Sequence, residues 1–187
     1  MDERLLIEQL KKGDEKAFKI VVDSWKDMVF NTILGIVQSM EDAEDLTQDV
    51  FIQVYNSINT FKGESKLSTW LYRIAITKSL DFERKRKRKK RFGFMKSILG
   101  ESNEETYIIP DFNHPGIALD KKEDAKMLFE AIKELPENQK IAFVLNKIEG
   151  LSYQETSEIM QTTVPSVESL LHRAKTNLKK GLEQKFR

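Results

Sequence analysis

The sequence predicts an all-α protein: two small helical domains joined by a flexible linker, the second carrying a C-terminal helix-turn-helix. Three observations carry that expectation. Apolar residues recur every three or four positions over most of the 187 residues. With 33% charged residues, 8 Gly and 4 Pro, the composition suits helices better than sheets. Between residues 92 and 119 the periodicity fades in an acidic stretch holding Gly93, Gly100, Pro110, Pro115 and Gly116. The expected division is therefore a first domain over 1–91, a linker over 92–119 and a second domain over 120–187.

In the first domain, helices are expected near 2–12, 14–38, 41–60 and 68–90. Their inward stripes are Leu6 and Leu10; Phe18, Val21, Val22, Trp25, Val29, Ile33 and Ile36; then Ala43, Leu46, Val50, Val54 and Ile58. Gly13 with Asp14 marks the first break, the polar corner at 39–41 the second, and the loop FKGESKL the third. Ser68 is the expected N-cap of the fourth helix, with Leu71, Ile74 and Phe82 pointing inward. The linker's Phe94, Met95, Ile98 and Leu99 suffice for a short helix at most. In the second domain, helices are expected near 120–134, 137–148, 152–160 and 164–182, with breaks at Pro136 and Gly150. Ser152 and Glu155 form a capping box. Only Gln161, Thr162 and Thr163 separate the last two helices, which is helix-turn-helix spacing.

Composition also excludes function classes. Without Cys there is no disulfide framework or zinc ribbon, and no apolar run approaches the roughly 18 residues that cross a bilayer. The first ten residues carry acids where a secretory signal would carry bases, so the chain is expected in the cytoplasm. Phosphate-binding loops, zinc-protease motifs and nucleophile elbows are missing, and the two His lie 58 positions apart. No enzymatic activity, cofactor, metal site or small-molecule substrate is expected.

The net charge of +1 conceals an uneven distribution. Residues 1–60 carry −6, residues 61–91 carry +9, residues 92–120 carry −4 and residues 121–187 carry +2. One strongly basic stretch on an otherwise acidic protein is the pattern of a nucleic-acid contact.

Three constellations stand out. In DAEDLTQDVF, Ala43, Leu46, Val50 and Val54 form the apolar stripe, leaving Asp45, Gln48, Asp49, Ile52 and Asn56 on a second face. That face reads either as ordinary solvated surface or as a docking site for a basic partner. Next, eight of the nine residues from Glu83 to Arg91 are basic, and Lys66, Arg73, Thr77, Lys78, Arg84 and Arg88 recur on the outward side of the same helix. Such a run repels itself in water, which favours phosphate as its partner. A solvated helix end or a localisation signal are the plainer readings, while a membrane-surface helix is disfavoured by the lack of apolar residues from Arg84 to Arg91. The preceding loop sets Lys62, Gly63, Glu64, Ser65 and Lys66 beside Phe61 and Trp70, a polar rim next to aromatic rings that suits an extruded base. Taken singly, Trp70 and Tyr72 are more often core or boundary residues. Third, Val164, Val167, Leu171, Ala174 and Leu178 form the buried seam of the last helix, so Glu168, Ser169, His172, Arg173, Lys175 and Thr176 face outward toward a major groove. Thr163 is positioned to cap this helix and Ser166 to bond near its N-terminus.

These three motifs, in this order and spacing, resemble the extracytoplasmic-function (ECF) sigma factors, small bacterial RNA polymerase specificity subunits that keep only the second and fourth sigma regions. The likeness spans nearly the whole chain except the linker and the first dozen residues. It implies that Asp45, Gln48, Asp49 and Phe51 dock on the clamp helices of the polymerase largest subunit. It further implies that residues 62–66 capture a flipped minus-10 base, that Trp70, Arg73, Thr77, Lys78, Arg84, Arg86 and Arg88 hold melting promoter DNA, and that the last helix, with Ser166, reads the minus-35 element. An anti-sigma factor is an implied partner, and the acidic linker is implied to thread toward the active-site cleft. Thr77 stands where the family commonly has Asn, Glu168 and Leu170 where bases are usual, Pro165 at a frequent Gly, and Gln161 at the usual turn Gly. A free-standing helix-turn-helix repressor is the rival reading, and it has no use for the acidic face. A metal-dependent nuclease ranks below both.

Overall fold

Several helix starts in this chain are set by short acidic or hydroxyl side chains that accept hydrogen bonds from otherwise unpaired first-turn amides. A computed structural model describes residues 2–98 and 122–185. Helix α1 (Glu3–Lys11) is capped by Asp2, which accepts from the Arg4 amide. The chain turns at Gly13, whose φ of 77° lies in the left-handed region. Asp14 then caps α2 (Glu15–Val37) by accepting from the amides of Lys16 and Ala17. Ser39 caps α3 (Met40–Ser57), which ends in a 3-10 turn over Ile58–Thr60.

The fourth helix, α4 (Leu67–Ile98), differs from expectation at both ends. Ser68 lies inside its first turn rather than at the cap; Glu3 of α1 supplies the acceptor instead, taking the Leu67 amide at 2.9 Å. At the other end the helix continues past residue 90 and through Gly93, so residues 92–98 of the expected linker are helical. The rest of that linker, including residues 99–119, lies outside the described residues.

The second half contains α5 (Lys122–Lys133), α6 (Glu137–Phe143), a π-helical turn over Val144–Ile148, α7 (Tyr153–Met160) and α8 (Val164–Lys185). The capping box of Ser152 and Glu155 forms as expected. Among the described residues every regular element is helical.

Helices α2, α3 and α4 pack around Val21, Val29, Ile33, Val50, Val54, Leu71 and Ala75, all fully buried, while Leu6 and Leu10 of α1 close the same core. In the second half, α8 lies across α5, α6 and α7 through Val167, Leu171, Ala174 and Leu178. The two halves are in contact: α4 meets α7, and α2 meets the π turn. At that contact Gly35 faces Val144, and the Gln38 side-chain Nε2 donates to the Phe129 carbonyl at 2.7 Å. Phe129, Ile132 and Leu145 therefore belong to one continuous apolar core with Ile33 and Leu34.

Candidate polymerase and nucleic-acid interfaces

Helix α3 packs against α2 and α4 through Ala43, Leu46, Val50, Phe51 and Val54 and leaves its opposite side in solvent. Asp45, Gln48 and Asp49 lie on that solvent face, as expected. Phe51 does not: it is only 6% exposed and belongs to the core. It precedes Val54 by three residues and follows Thr47 by four, which places it on the flank of the inward stripe. The apolar component of the face comes instead from Ile52, 59% exposed, and Tyr55, 50% exposed, whose ring rests edge-on against Phe18. Tyr55 was missed by the sequence reading, although its spacing from Gln48 and Ile52 was available. The result is an exposed apolar spot with carboxylates beside it, a layout that suits docking by a basic and partly apolar element.

The loop before α4 is held from beneath. Phe61 is buried, its amide donates to Ile58, and its carbonyl accepts from Lys11 Nζ at 2.8 Å. Gly63 sits at φ 75° with open space around it, so the left-handed backbone is what requires glycine there. Lys62, Glu64 and Lys66 are exposed and Ser65 half-buried. Trp70 leans on Phe61 with ring centroids 5.2 Å apart and keeps part of its surface open to the loop. Tyr72 is buried, in line with its plainer reading.

Along α4 the expected DNA-facing residues separate into groups. Thr77, Arg84 and Arg88 are exposed, and Arg73 and Lys78 are half-buried. Arg73 Nη2 donates to the Glu158 carbonyl at 2.7 Å, and its Nε reaches the Ile159 carbonyl at 3.4 Å, both at the end of α7. Arg84 pairs with Glu137 at 3.0 Å and with Asp81 at 3.6 Å. Arg86 turns inward: it pairs with Glu83, approaches Asp42 at 3.9 Å and lies over the Phe82 ring. Glu83 is itself buried, as is Lys140 of α6, whose ammonium is held below the usual lysine range by burial while Glu83 works against that shift.

Two further ionisable groups escaped the sequence reading. Glu149, at the end of the π turn, has its carboxyl pushed up to about 7 by burial, against a lowering bond from Tyr72. Tyr72 is raised by its own burial and then by the charges of Glu149 and Glu155. Each group is unremarkable in sequence, because its partner lies on the other half of the chain.

In the helix-turn-helix, α7 ends at Gln161 with φ 52°, a left-handed turn normally favouring glycine. Thr163 accepts from the Ser166 amide at 3.3 Å and so opens α8 as expected. Ser166, Glu168, Ser169, His172, Arg173, Lys175 and Thr176 are all exposed. Arg173 Nη2 donates to the Ser169 hydroxyl at 2.8 Å, which orients its guanidinium along the helix. Val167, Leu171, Ala174 and Leu178 anchor the opposite face.

Comparison with known proteins matches residues 21–89 to the family model Sigma-70 region 2 and residues 125–178 to Sigma-70, region 4. The chain is 32% identical over 186 residues to the ECF RNA polymerase sigma-E factor of Haemophilus influenzae, covering 98% of this chain and 96% of that one. It is 30% identical over 182 residues to the RNA polymerase sigma-H factor of Pseudomonas aeruginosa, covering 97% and 94%. Among solved structures, CnrH in complex with the cytosolic domain of CnrY aligns with a TM-score of 0.69 at 19% identity, covering 97% of each chain. The sigma factor RpoE bound to the anti-sigma factor NepR from Bartonella quintana aligns at 0.67 and 23% identity, covering 90% of this chain and 98% of that one. These two share the fold. With both sigma regions matched in order and relatives aligned from end to end, the chain belongs to the ECF group of the sigma-70 family of RNA polymerase specificity subunits.

Proposed function

We propose that this sigma factor docks on core polymerase through the solvent face of α3, holds the minus-10 element with the 62–66 loop and α4, and reads the minus-35 element with α8. The single observation that carries the reading is the exposure of all three groups on helices whose opposite faces are locked into the core. Asp45, Gln48, Asp49, Ile52 and Tyr55 supply carboxylates and an apolar anchor for a basic helix pair. Lys62, Lys66, Lys78, Arg84 and Arg88 supply phosphate contacts, and the open part of Trp70 a stacking surface. Residues 1–91 and 120–187 are the two functional domains in this reading.

The factor acts without catalysis of its own, contributing binding energy to opening DNA while the polymerase performs the chemistry. It works in the cytoplasm, where polymerase and chromosome are. Among the described residues no helix is long and apolar enough to cross a membrane. One of the two structural relatives is bound to an anti-sigma factor, which supports an anti-sigma partner here too.

The test is co-elution with purified core polymerase, followed by run-off transcription on candidate promoters. Asp45→Lys with Asp49→Lys is expected to abolish both while leaving the helical circular dichroism unchanged, because reversing exposed charges harms only the interface. Unchanged co-elution would remove α3 as the docking face.

A further inference from the structure

The exposed loop over residues 62–66 is fastened at both ends by one helix. Lys11 Nζ donates to the Phe61 carbonyl at 2.8 Å just before the loop, and the Glu3 carboxylate accepts from the Leu67 amide at 2.9 Å just after it. Both anchors belong to α1, 50 and 64 residues away in sequence from the groups they hold. Helix α1 precedes the residues matched to region 2, 21–89, so the anchors come from outside that match. Between them the loop is open, with Lys62, Gly63, Glu64 and Lys66 exposed.

Each anchor meets a chemical need at its own end of the loop. The Leu67 amide opens α4 and has no acceptor within its own helix, so a carboxylate there completes it and favours the positive end of the helix dipole. Lys11 stands in the last turn of α1 and holds the residue whose buried ring supports Trp70, with ring centroids 5.2 Å apart. Fixing Phe61 therefore also fixes the support of the stacking surface. Leu6 and Leu10, both buried, tie α1 to the core, and the helix touches the 3-10 turn that leads into the loop. Glu3 and Lys11 are eight residues apart in α1, about 12 Å along its axis. Two points so far apart restrain both sliding and pivoting of the loop's ends.

We propose that α1 is a splint for the minus-10 loop, with Glu3 and Lys11 as positioning residues that hold residues 62–66 in the shape that receives an extruded base. The proposal rests on the reading of that loop as the holder of a minus-10 base. Neither residue needs to touch DNA. Their effect is preorganisation: a loop already held in its bound shape loses less conformational freedom on binding, and one that visits the shape only part of the time binds more weakly by that fraction. The fitting base depends on the loop's shape and loses most when the shape is lost. Ill-fitting bases lose little, so the signature is lost discrimination and not a uniform loss of affinity.

The test uses holoenzyme assembled from the full-length chain and core polymerase. It is offered a single-stranded oligonucleotide library randomised over the non-template minus-10 positions, and the bound fraction is sequenced. Glu3→Ala with Lys11→Met removes both anchors at exposed positions. This pair is expected to flatten the preference at the most discriminating position roughly three- to tenfold, with core co-elution at the parental level. Glu3→Gln with Lys11→Arg keeps an acceptor and a donor in the same places and is expected to retain the parental preference. Val29→Ala thins the core without touching either anchor, so it is expected to lower the urea midpoint of the free chain and leave the preference unchanged. The splint is overturned if the first pair keeps the parental preference or loses core co-elution in step with it, if the conservative pair is as flat as the first, or if Val29→Ala flattens the preference equally. The underlying reading is checked separately with Lys62→Ala and Glu64→Ala beside an intact α1. A parental preference there would remove the loop from the minus-10 element and the splint with it; a flattened one, beside an inert first pair, removes the splint alone.

Discussion

Replacing Arg86 by Ala should damage the fold and leave the salt dependence of DNA binding alone. In sequence it is indistinguishable from Arg84 and Arg88, yet its side chain is only 20% exposed. It pairs with Glu83, lies near Asp42 and covers the Phe82 ring. Removing one partner of a buried ion pair costs about 3 to 5 kcal/mol, because the other charge stays desolvated. Lys140 remains close enough to act on Glu83, and part of Arg86 touches water, so the expected loss is reduced to about 2 to 3 kcal/mol. The lost contact with the ring adds about 0.5 to 1 kcal/mol. Urea titration followed by circular dichroism measures the loss, and a chain of this size should melt roughly 5 to 16 °C lower. Arg88→Ala is the counterpart: little change in stability, but a log–log salt slope smaller by about 0.7 on single strands or about 0.9 on duplex. If Arg86→Ala kept parental stability and lost a full phosphate's worth of slope, the inward assignment would be refuted.

Two other expectations follow from charge and position. Glu149 titrates near 7 in the folded chain against an ordinary 4.5, so the fold disfavours its carboxylate: stability falls as pH rises from about 4.5 to 7 and is level above. Glu149→Gln should remove that slope and raise stability at pH 8 by about 1 to 3 kcal/mol, and parallel urea curves at pH 5.5 and 8 for both proteins would contradict it. Glu168 is exposed in the first turns of α8, where a carboxylate can accept from cytosine N4 or simply favour the helix dipole. Glu168→Lys should shift the preferred base at one minus-35 position by about 1 to 3 kcal/mol in a promoter-library selection; a uniform gain at every sequence would leave only the dipole role.

The helices and most of the core were legible because period and burial coincide wherever a helix buries one stripe. Val21, Val29, Ile33, Val50, Val54 and Leu71 are buried as their spacing implies. The reading faltered where a helix is covered on more than one side. Phe51 sits on a flank that a narrow stripe would leave open, and α4 turns Arg86 inward because α3 and α6 both crowd that side of it. Capping was read well where the acceptor is local, at Ser152 and Thr163. It was misread at Ser68, because the acceptor for Leu67 is Glu3, 64 residues away. Local chemistry is written in local sequence, and acceptors brought in by the fold are not.

The contact between the halves was hidden from the sequence for the same reason. A cavity of about 440 Å³ between the halves is lined by Arg86, Lys87 and Lys90 of α4, Lys133 of α5, and Glu134, Pro136 and Glu137 beyond it. The contact sets Lys133 and the buried Lys140 near the most basic stretch of the chain, and those like charges oppose it. Glu83, Glu134 and Glu137 offset the repulsion, Glu137 by pairing with Arg84. The balance is thus between short-range pairing and apolar packing on one side and repulsion between cations on the other.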